Sequence, residues 1–549
     1  MDYNRLADLL FPNLKYTLDS LEAQYPPRAL PEGAAVTRFA PSPTGYVHLG
    51  NMYSIMLDER QAHKTGGVFV LRIEDTDQKR EIKNGVAIIC DALKNLGINF
   101  DEGATADGDN GVYGPYRQRP RVDIYHTVAK EFVKLGRAYP CFCTEEELTA
   151  MRQAQKAEKA NFGYWGKWAK HRDGSIEKIE AELKKGTPYV LRFKSEGDVG
   201  RKFKYTDLVK GDLELTQNDI DHVMLKADGI PTYHFAHVVD DHFMRVTHVF
   251  RDESWLPSFP LHFEMLSVTA ALGWKRSKYG HHAQIMKLDG SSKRKLSKRK
   301  DPEADLRFFP EHGYYMSALI DYLMTIINSN YEEWRRANPT ETYDKFNFSL
   351  KKLSVSGAIF DLDKLNSVSR NMVSLLDAGV VLSEVLAWSK TYDPELFALL
   401  SRDEVYAKAI LSIGRGMPNP RKDFGAWSEV KPYISFFFDE LFVPDNAAMP
   451  QNVSATDRQR ILSEYAQIYD AQDGQTEWFN KIKALAERLG FAPGTKEYKL
   501  SPEKYKGHVG DVSMVLRVAV TGRQNSPDMY EVMRHLGKDK VIARLKNAL

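Results

Sequence analysis

The segment PSPTGYVHLGN, residues 41 to 51, places a histidine between two glycines where an apolar run gives way to a helical pattern. Gly45 and Gly50 would let backbone N–H groups approach an anion, and His48 would add a side-chain donor. These residue types suit the binding of nucleotide phosphates. A polar turn of this kind is more often a solvated loop, so its meaning depends on other residues of the chain.

A basic segment far downstream could supply further positive charge. Residues 289 to 301, DGSSKRKLSKRKD, contain six basic residues between Lys293 and Lys300. A run of this kind is usually a solvated loop or a general nucleic-acid patch. The KxSK pattern formed by Lys295 and Lys298, flanked by glycine and serine, instead favours a loop that closes over phosphates.

A strand, a helix and a second strand are predicted around the first segment. Met52, Ile55 and Met56 recur at helical spacing, and the pattern runs to about Thr65, where two glycines end it. Residues 68 to 77, VFVLRIEDTD, then alternate as a strand that ends in acids. Ligands of open α/β sheets bind at the carboxyl edge, where we expect four side chains to converge: Arg38, Ser42, His48 and Glu74.

The two segments resemble the signatures of class I aminoacyl-tRNA synthetases. HLGN matches the HIGH signature, and KLSKR matches the KMSKS loop. The resemblance extends from about residue 36 to the end of the chain, including residues 507 to 533, and leaves the first thirty-five residues as an extension. Further motifs are similar to those of bacterial-type glutamyl-tRNA synthetases: TRFAPSPTG (37 to 45), LRIEDTD (71 to 77), GPYRQ (114 to 118), YVLRFK (189 to 194) and DGIPTYHFAHVVDDH (228 to 242).

The resemblance implies an α/β fold. It consists of a class I Rossmann-type nucleotide-binding catalytic core with an inserted acceptor-binding domain, followed by an α-helical anticodon-binding region. The implied segments are an N-terminal extension (1–35), the first half of the core (36–122), the insertion (123–221), the second half of the core (222–285), the KMSKS-type loop with a stem-contact domain (286–375) and the anticodon-binding domain (376–549).

Local patterns add detail to this outline. Thr144 and Glu147 have capping-box spacing, which predicts the start of a helix in the insertion. Residues 478 to 490, WFNKIKALAERLG, have one apolar helical face and a terminal glycine. In the second half of the core, residues 222 to 226 and 233 to 239, HVMLK and YHFAHVV, are expected to be buried strands.

The reaction implied by the resemblance is ATP-dependent activation of L-glutamate to glutamyl-adenylate, with Mg²⁺, followed by transfer to the 3′ end of tRNA(Glu). The products are Glu-tRNA, AMP and diphosphate. Negative charge builds on the triphosphate during activation, and His48 and Lys298 would stabilise it with help from Lys295. The implied ATP contacts are Gly45, His48, Gly50, Ser254, Leu288 and Lys298.

Glutamate must be recognised at two carboxylates and one ammonium group. Arginine binds a carboxylate through paired donors, so the resemblance implies that Arg38 and Arg251 bind the carboxylates. Glu74 would bind the ammonium group. Ser42 and Tyr233 would add neutral hydrogen bonds.

Two positions depart from the family pattern. His237 follows YHFA, where many relatives have an asparagine. The segment after Arg251 reads DESW, which leaves Ser254 where an acid often lies near ATP. We retain His237 as a glutamate contact and Ser254 as an ATP contact.

Two groups of residues could suggest a metal site. Cys141 and Cys143 form a CxC pair, which in some relatives joins a later cysteine and histidine to hold zinc. Here the later region offers His171 and no cysteine. Histidines and aspartates between residues 234 and 248 have spacings that fit no familiar ligand set. We therefore expect neither group to hold a metal ion.

Composition limits the other possibilities. A chain of 549 residues is too long for one core, and its formal net charge of +2 means that a tRNA surface must come from local basic patches. Three cysteines, no signal-peptide pattern and no apolar run of about 18 residues predict a cytoplasmic protein without a membrane span. The resemblance implies a monomer. Arg421, in NPRKDF, is a candidate tRNA contact.

Other functions remain open from the sequence. A non-catalytic RNA-binding relative would usually lose the histidine turn or the KxSK loop, and a nucleotidyltransferase acting on a small acid would leave the helical C-terminal region without a role. Glutaminyl enzymes typically carry a β-barrel where residues 376 to 549 are helical here, and a shorter glutamyl transferase that acts on a modified tRNA base lacks this region. The sequence also leaves open whether tRNA(Gln) is charged with glutamate.

Overall fold

The computed structural model describes residues 1–297, 299–354 and 357–548, apart from the side chain of Gln78. These residues form two compact units. The α/β unit comprises Met1–Phe308 and Leu323–Asp361, and the helical unit comprises Phe309–Tyr322 and Leu362–Leu549. The six predicted segments are a finer division and stay predictions.

The strands found among the described residues all belong to the α/β unit. In chain order they are β1 (Val36–Phe39), β2 (Val68–Leu71), β3 (Glu102–Ala104), β4 (Asp109–Asn110), β5 (Ala138–Cys141), β6 (Val190–Phe193), β7 (Lys202–Asp207), β8 (Gly211–Thr216), β9 (Val223–Leu225), β10 (His248–Asp252), β11 (Lys278–His282), β12 (Ile285–Asp289), β13 (Ser292–Lys295) and β14 (Ala358–Ile359).

The α-helices follow in the same manner. The first nine lie in the α/β unit: α1 (Tyr3–Leu10), α2 (Leu18–Gln24), α3 (Leu49–Lys64), α4 (Gly85–Asn95), α5 (Val122–Lys134), α6 (Glu145–Ala157), α7 (Ile176–Lys184), α8 (Tyr233–Phe243) and α9 (Phe259–Thr269). The chain passes between units within α10 (Phe308–Glu311) and α11 (Met316–Ile327), and α12 (Tyr331–Ala337) returns to the α/β unit.

The remaining helices lie in the helical unit: α13 (Leu362–Leu375), α14 (Ala378–Tyr392), α15 (Pro394–Ser401), α16 (Glu404–Leu411), α17 (Val430–Ile434), α18 (Ala455–Ile468), α19 (Gln475–Arg488), α20 (Thr495–Leu500), α21 (Val509–Thr521), α22 (Met529–Leu536) and α23 (Lys538–Asn547). They pack around one continuous apolar core that includes Val385, Ile461, Leu485, Val515 and Leu545. The C-terminal region is thus helical as predicted. Within the described part of the chain, every helix is too short or too polar to span a membrane.

A parallel sheet forms the centre of the α/β unit. β1 pairs with β2, β2 with β3, and β10 with β11, each in parallel. The Thr247 N–H donates to Val36 O at 2.9 Å, which places β10 beside β1. The strand order is therefore β3, β2, β1, β10, β11, and it changes direction between β1 and β10. Sheets of this kind bind their ligands at that switch point.

The first strand, helix and strand form as predicted, with a shorter second strand. α3 ends at Lys64, and Gly66 follows with a φ of +67°. β2 ends at Leu71 rather than at residue 77 because the following backbone takes new partners. The Glu74 N–H donates to Pro41 O at 2.9 Å. Glu74 therefore lies beyond the strand, against the 41–51 turn.

One predicted strand is wrong. Residues 233 to 239 form the start of α8, while Val223–Leu225 form a strand as expected. Phe235, Val238 and Val239 share a buried face at helical spacing, yet His237 and the two aspartates that follow are buried as well. Because α8 is buried on nearly every side, its sequence lacks the alternation of apolar and polar faces that indicates a helix.

The predicted insertion contributes β5 to β8, and its β5 and β6 form an antiparallel sheet with β9, which lies just after the insertion. Thr144 caps α6 with Glu147 in a capping box, as the spacing predicted. β7 and β8 form a separate hairpin. This hairpin is tied to the core sheet, because the Leu208 N–H donates to Tyr279 O at 2.9 Å.

The N-terminal extension packs against the α/β unit. Lys130 of α5 donates to Phe11 O at 3.1 Å. The Glu22 carboxylate of α2 pairs with Arg245 Nη2, just after α8, at 2.7 Å. It also lies 2.7 Å from Nε2 of His242, which is within α8. The extension therefore contacts α5 and the C-terminal end of α8, which is a structural role that no sequence pattern indicated.

Candidate active site

The 41–51 turn joins β1 to α3 at the carboxyl edge of the sheet. His48 is the N-terminal cap of α3, and its backbone N–H donates to Asn51 Oδ1 at 3.1 Å. A Cβ atom at Gly50 would lie 2.9 Å from His48 Nδ1, whereas one at Gly45 would meet no atom within 4 Å. Glycine at position 50 thus leaves room for the imidazole over the start of the helix, where an anion is favoured.

A buried charge network lies beside this turn. Asp241 of α8 accepts from Arg38 Nε at 3.3 Å and from Arg72 Nη1 at 2.6 Å. Arg72 Nη2 donates to Glu74 Oε1 at 3.3 Å. The two arginines and Asp241 are buried. Arg72 and Asp241 therefore connect Arg38 and Glu74 in one cluster.

The Glu74 carboxyl group has unusual acidity. Its side chain is only 10% exposed. Burial raises its pKa to about 7, and the positive charges of Arg72 and Arg38 offset that rise only in part. The group is therefore poised between its neutral and charged forms near neutral pH. A cation bound beside it would favour the charged form.

Tyr233 and His237 lie one helical turn apart at the start of α8. Their rings stack with centroids 5.2 Å apart. His237 is fully buried, with Nδ1 3.2 Å from Tyr233 O and Nε2 3.2 Å from Tyr279 OH. Both ring nitrogens already face protein groups, so the geometry gives His237 a supporting position behind Tyr233.

Arg251 lies on β10, across the switch point from Arg38. Its Nε donates to His281 Nε2 at 3.0 Å, and its Nη1 donates to His262 Nδ1 at 3.0 Å. Only 5% of the residue is exposed, and Nη2 is buried without a hydrogen-bond partner among the described residues. A buried donor of this kind calls for a partner, and a carboxylate suits it.

The hydroxyl of Tyr233 marks where these groups meet. Burial is the main cause that raises its pKa, and the charge of Glu74 adds to the rise. The charges of Arg251 and Arg38 act in the opposite direction. Two acids, Glu74 and Asp241, and two arginines, Arg38 and Arg251, thus lie near this hydroxyl. The structure brings Arg38, Glu74 and Arg251 together around Tyr233, and their roles as glutamate contacts stay predictions.

The comparisons with known proteins agree with this geometry. Residues 34–367 match the family described as tRNA synthetases class I (E and Q), catalytic domain, and residues 499–549 match an anticodon binding domain. A glutamate–tRNA ligase of Acetivibrio thermocellus is 48% identical over 550 residues that span the whole of both chains. The chain belongs to the glutamate–tRNA ligase family.

Other members of the glutamate–tRNA ligase family agree. The ligase of Clostridium perfringens strain SM101 is 44% identical over 553 residues, again the whole of both chains. The crystal structure of a glutamate–tRNA ligase from Elizabethkingia meningosepticum in complex with its amino acid is similar, with a TM-score of 0.74 and 27% identity. That match covers 94% of this chain and 99% of the other.

The remaining predicted contacts of this family member lie at the surface. Ser42 is exposed on the turn. Ser254 is exposed too, and its backbone N–H donates to Asp252 Oδ1 at 2.8 Å. Leu288 is 51% exposed on β12, which pairs with β13 as an antiparallel hairpin ending at Lys295. These groups border open space rather than the buried cluster.

Two described residues of the basic segment, Arg294 and Ser297, are held by Asp301. Arg294 donates to Asp301 Oδ2 at 2.5 Å and to Oδ1 at 2.7 Å. The Ser297 N–H also donates to Asp301, at 2.9 Å. Lys298, predicted as a catalytic lysine, lies outside the described residues.

Sequence reasoning missed several groups of this site. Arg72 and Asp241 lie inside motifs that were already noticed, LRIEDTD and VVDDH, so a signal existed. His262, His281 and Asp207 lie in no recognised motif. They join the site only because the chain brings α9, β11 and the β7–β8 hairpin to Arg251.

The insertion holds a group that could bind a metal ion. One ligand atom each from Cys141, Cys143 and His171 lies within 4.8 Å of the others. The Tyr164 hydroxyl is 3.5 Å from Cys143 Sγ. A hydrogen bond from Cys143 lowers the pKa of the Cys141 thiol. The structure thus brings the CxC pair and His171 into one group, and the expectation of no metal here stays a prediction.

Arg421 lines a cavity of about 1310 Å³ within the helical unit. Its guanidinium pairs with Asp423 at 2.7 Å. Trp478, Phe479 and Arg517 line the same cavity. Aromatic rings beside cationic groups are a common setting for nucleobases.

Proposed function

We propose that the chain activates L-glutamate with ATP and transfers the glutamyl group to the 3′ end of tRNA(Glu), giving Glu-tRNA, AMP and diphosphate. The observation that carries this proposal is the buried cluster around Tyr233, where Glu74 lies with Arg38 and Arg251. An amino acid with two carboxylates and one ammonium group needs that pattern of charge.

The same pattern would discriminate against glutamine. Arginine carries only donors, so it suits a carboxylate and not the NH₂ end of an amide. The amide oxygen of glutamine would accept from the buried Nη2 of Arg251, but the amide has a single acceptor oxygen and no negative charge. Loss of the charge-assisted contact with the guanidinium favours the acid.

The ATP phosphates would lie at the 41–51 turn. In the activation step, a glutamate carboxylate oxygen bonds to the α-phosphorus of ATP while the bond to the diphosphate breaks. His48 would stabilise the developing charge from the start of α3, and Gly45 and Gly50 would admit the phosphates to the backbone N–H groups. Lys295 and Lys298 of the basic segment would add positive charge.

Magnesium fits this scheme as part of the nucleotide. Mg²⁺ prefers oxygen ligands and is commonly held by substrate phosphates and water. Among the described residues, the close group of ligand atoms that could hold a metal is Cys141, Cys143 and His171, and its sulfur donors do not suit Mg²⁺. The ion would arrive on the triphosphate and neutralise phosphate oxygens there.

In the second step a ribose hydroxyl of the terminal adenosine of tRNA would attack the glutamyl carbonyl, and AMP would leave. We propose that the cavity beside Arg421 binds anticodon nucleotides, supported by Trp478 and Phe479 in its lining. We also propose that the enzyme acts as a monomer.

Charging purified tRNAs with labelled glutamate tests the reaction. We expect labelled tRNA(Glu) that depends on ATP, together with release of AMP. Product on tRNA(Gln) as well would establish relaxed tRNA specificity. Absence of product on both tRNAs would contradict the proposed function.

The assignment of Lys298 has its own test. Replacing Lys298 with alanine should lower kcat about 100-fold, as expected when one charge-stabilising group is removed. Lys300→Ala removes a charge from the same segment and serves as the matched control, with kcat within about twofold of the wild type. Full activity of Lys298→Ala would overturn the assignment.

A further inference from the structure

Arg251 is held in an unusual way for a buried cation. Its guanidinium has only donors, and the groups that accept them are two imidazole nitrogens, His281 Nε2 and His262 Nδ1. Among the described residues, no carboxylate oxygen lies within 4 Å of a nitrogen of this guanidinium. Aromatic rings surround the guanidinium instead, and its Cζ lies 5.0 Å from the centroid of the Tyr279 ring.

These contacts fix the protonation of both histidines. A ring nitrogen that accepts from arginine carries no proton, so His281 must hold its proton on Nδ1 and His262 on Nε2. The other hydrogen bonds agree. His281 Nδ1 lies 2.6 Å from Asp207 Oδ2, and His262 Nε2 lies 2.8 Å from His234 Nδ1.

The neutral state of the two rings is consistent with their surroundings. Burial lowers the pKa of His262 well below its ordinary value and also lowers the pKa of His281. His262 faces His237 and His234 as well as Arg251, and these neighbours oppose a further positive charge.

Asp207 anchors this arrangement from the β7–β8 hairpin. Besides the His281 ring, it accepts the backbone N–H groups of Val209 and Lys210 at 2.9 Å each and that of His281 at 3.0 Å. Its oxygens are therefore fully engaged. A side chain from the predicted acceptor-binding insertion thus sets the orientation of a ring that touches Arg251.

We propose that His262 and His281 are positioning residues that hold Arg251 through neutral acceptor nitrogens and so leave its full positive charge, and its Nη2 group, to a carboxylate of glutamate. A carboxylate in place of either histidine would neutralise the arginine and compete with the substrate. The inference rests on the proposed role of Arg251 as a carboxylate ligand.

Matched variants test it in the aminoacylation assay. His262→Leu and His281→Met remove the acceptors, whereas His262→Asn and His281→Gln place a carbonyl oxygen near the lost nitrogen. We expect the first pair to raise the KM for glutamate about 10-fold and the second pair to restore it to within about threefold, with the KM for ATP unchanged. In an Arg251→Met background, His262→Leu should have no further effect on the KM for glutamate.

The outcomes separate the two proposals. If Arg251→Met raises the KM for glutamate but His262→Leu and His281→Met leave it at the wild-type value, the positioning roles are wrong and the role of Arg251 stands. If Arg251→Met also leaves it unchanged, the role of Arg251 is wrong. Equal rises in the KM for ATP and for glutamate would indicate general damage and overturn the positioning roles.

Nitrogen NMR of the histidine-labelled wild-type protein observes the two ring tautomers directly. At pH 7 we expect His281 to be a neutral Nδ1–H ring and His262 a neutral Nε2–H ring, with each signal assigned by its loss in the His281→Gln or His262→Asn variant. A doubly protonated ring at either position would overturn the proposal.

Discussion

Arg38 on β1 and Arg251 on β10 lie on neighbouring strands of the parallel sheet, but their guanidinium groups have different hydrogen-bond partners. Arg38 pairs with Asp241, an acid that it shares with Arg72, so its buried charge is compensated before any substrate arrives. Arg251 is bonded to two imidazoles, and one of its donor nitrogens has no partner among the described residues.

The different partners of the two arginines predict different contributions to protein stability and to glutamate binding. Removing one member of a buried ion pair leaves an uncompensated charge and is strongly destabilising. A buried cation without a paired carboxylate already carries that cost in the free protein, and a substrate carboxylate relieves it. We therefore expect Arg38 to contribute to folding and to binding, and Arg251 to contribute mainly to binding.

The largest expected effect comes from replacing each arginine with methionine. Arg251→Met should lower kcat/KM for glutamate at least about 100-fold, because truncating one partner of a buried charged contact costs about 2–5 kcal/mol. Its free energy of unfolding should stay at or above the wild-type value. Arg38→Met should lower kcat/KM too, but should also lower the free energy of unfolding by about 3 kcal/mol, since Asp241 loses a partner.

Steady-state kinetics and urea unfolding check this pair. Arg276→Met, which replaces an exposed arginine, is the matched control, and it should change the free energy of unfolding by less than about 0.5 kcal/mol. Equal destabilisation by Arg38→Met and Arg251→Met would show that the two arginines contribute equally to folding.

A smaller effect concerns the pH dependence of the pocket. Because the pKa of Glu74 is raised to about 7, its carboxylate form is lost as the pH falls through that value, and with it the partner for the ammonium group. We expect kcat/KM for glutamate to fall about tenfold per pH unit below pH 7.

Glu74→Gln should lower kcat/KM at pH 8 and remove the dependence between pH 6 and 8, as measured in pH–rate profiles. If Glu74→Gln keeps the wild-type pH dependence of kcat/KM, the titrating group is a residue other than Glu74.

The smallest effect concerns the nucleotide side. In Gly50→Ala the added Cβ would lie 2.9 Å from His48 Nδ1 and displace the ring, so kcat should fall about tenfold with the KM for glutamate unchanged. Gly108→Ala, whose Cβ would meet no atom within 4 Å, is the control. A Gly50→Ala enzyme with wild-type kcat would show that the position of the imidazole is unimportant.

The sequence predicted the elements whose signals are local. α3, α6 and α19 form where apolar spacing, capping pairs and terminal glycines indicated helices. The carboxyl edge of the sheet also predicted Arg38 and Glu74 as neighbours, and the family resemblance added Tyr233 and Arg251.

What could not be predicted depends on contacts between distant residues. Asp207 meets His281 across 74 positions, and His281 meets Arg251 across 30. No spacing rule covers such pairs, because the chain path between them decides the contact. The strand predicted at residues 233 to 239 failed for a related reason: the polar side of α8 is buried against the arginine network, so no exposed face marked a helix.

A crystal structure of the enzyme with glutamate bound tests the role of Arg251 most directly, and the quantity to measure is the distance from Arg251 Nη2 to the nearest carboxylate oxygen of the substrate. We expect a hydrogen bond of about 2.9 Å, with Arg251 still bonded to His262 and His281. Glutamate bound through other groups, with Arg251 Nη2 still unpaired, would show that Arg251 is not a carboxylate ligand.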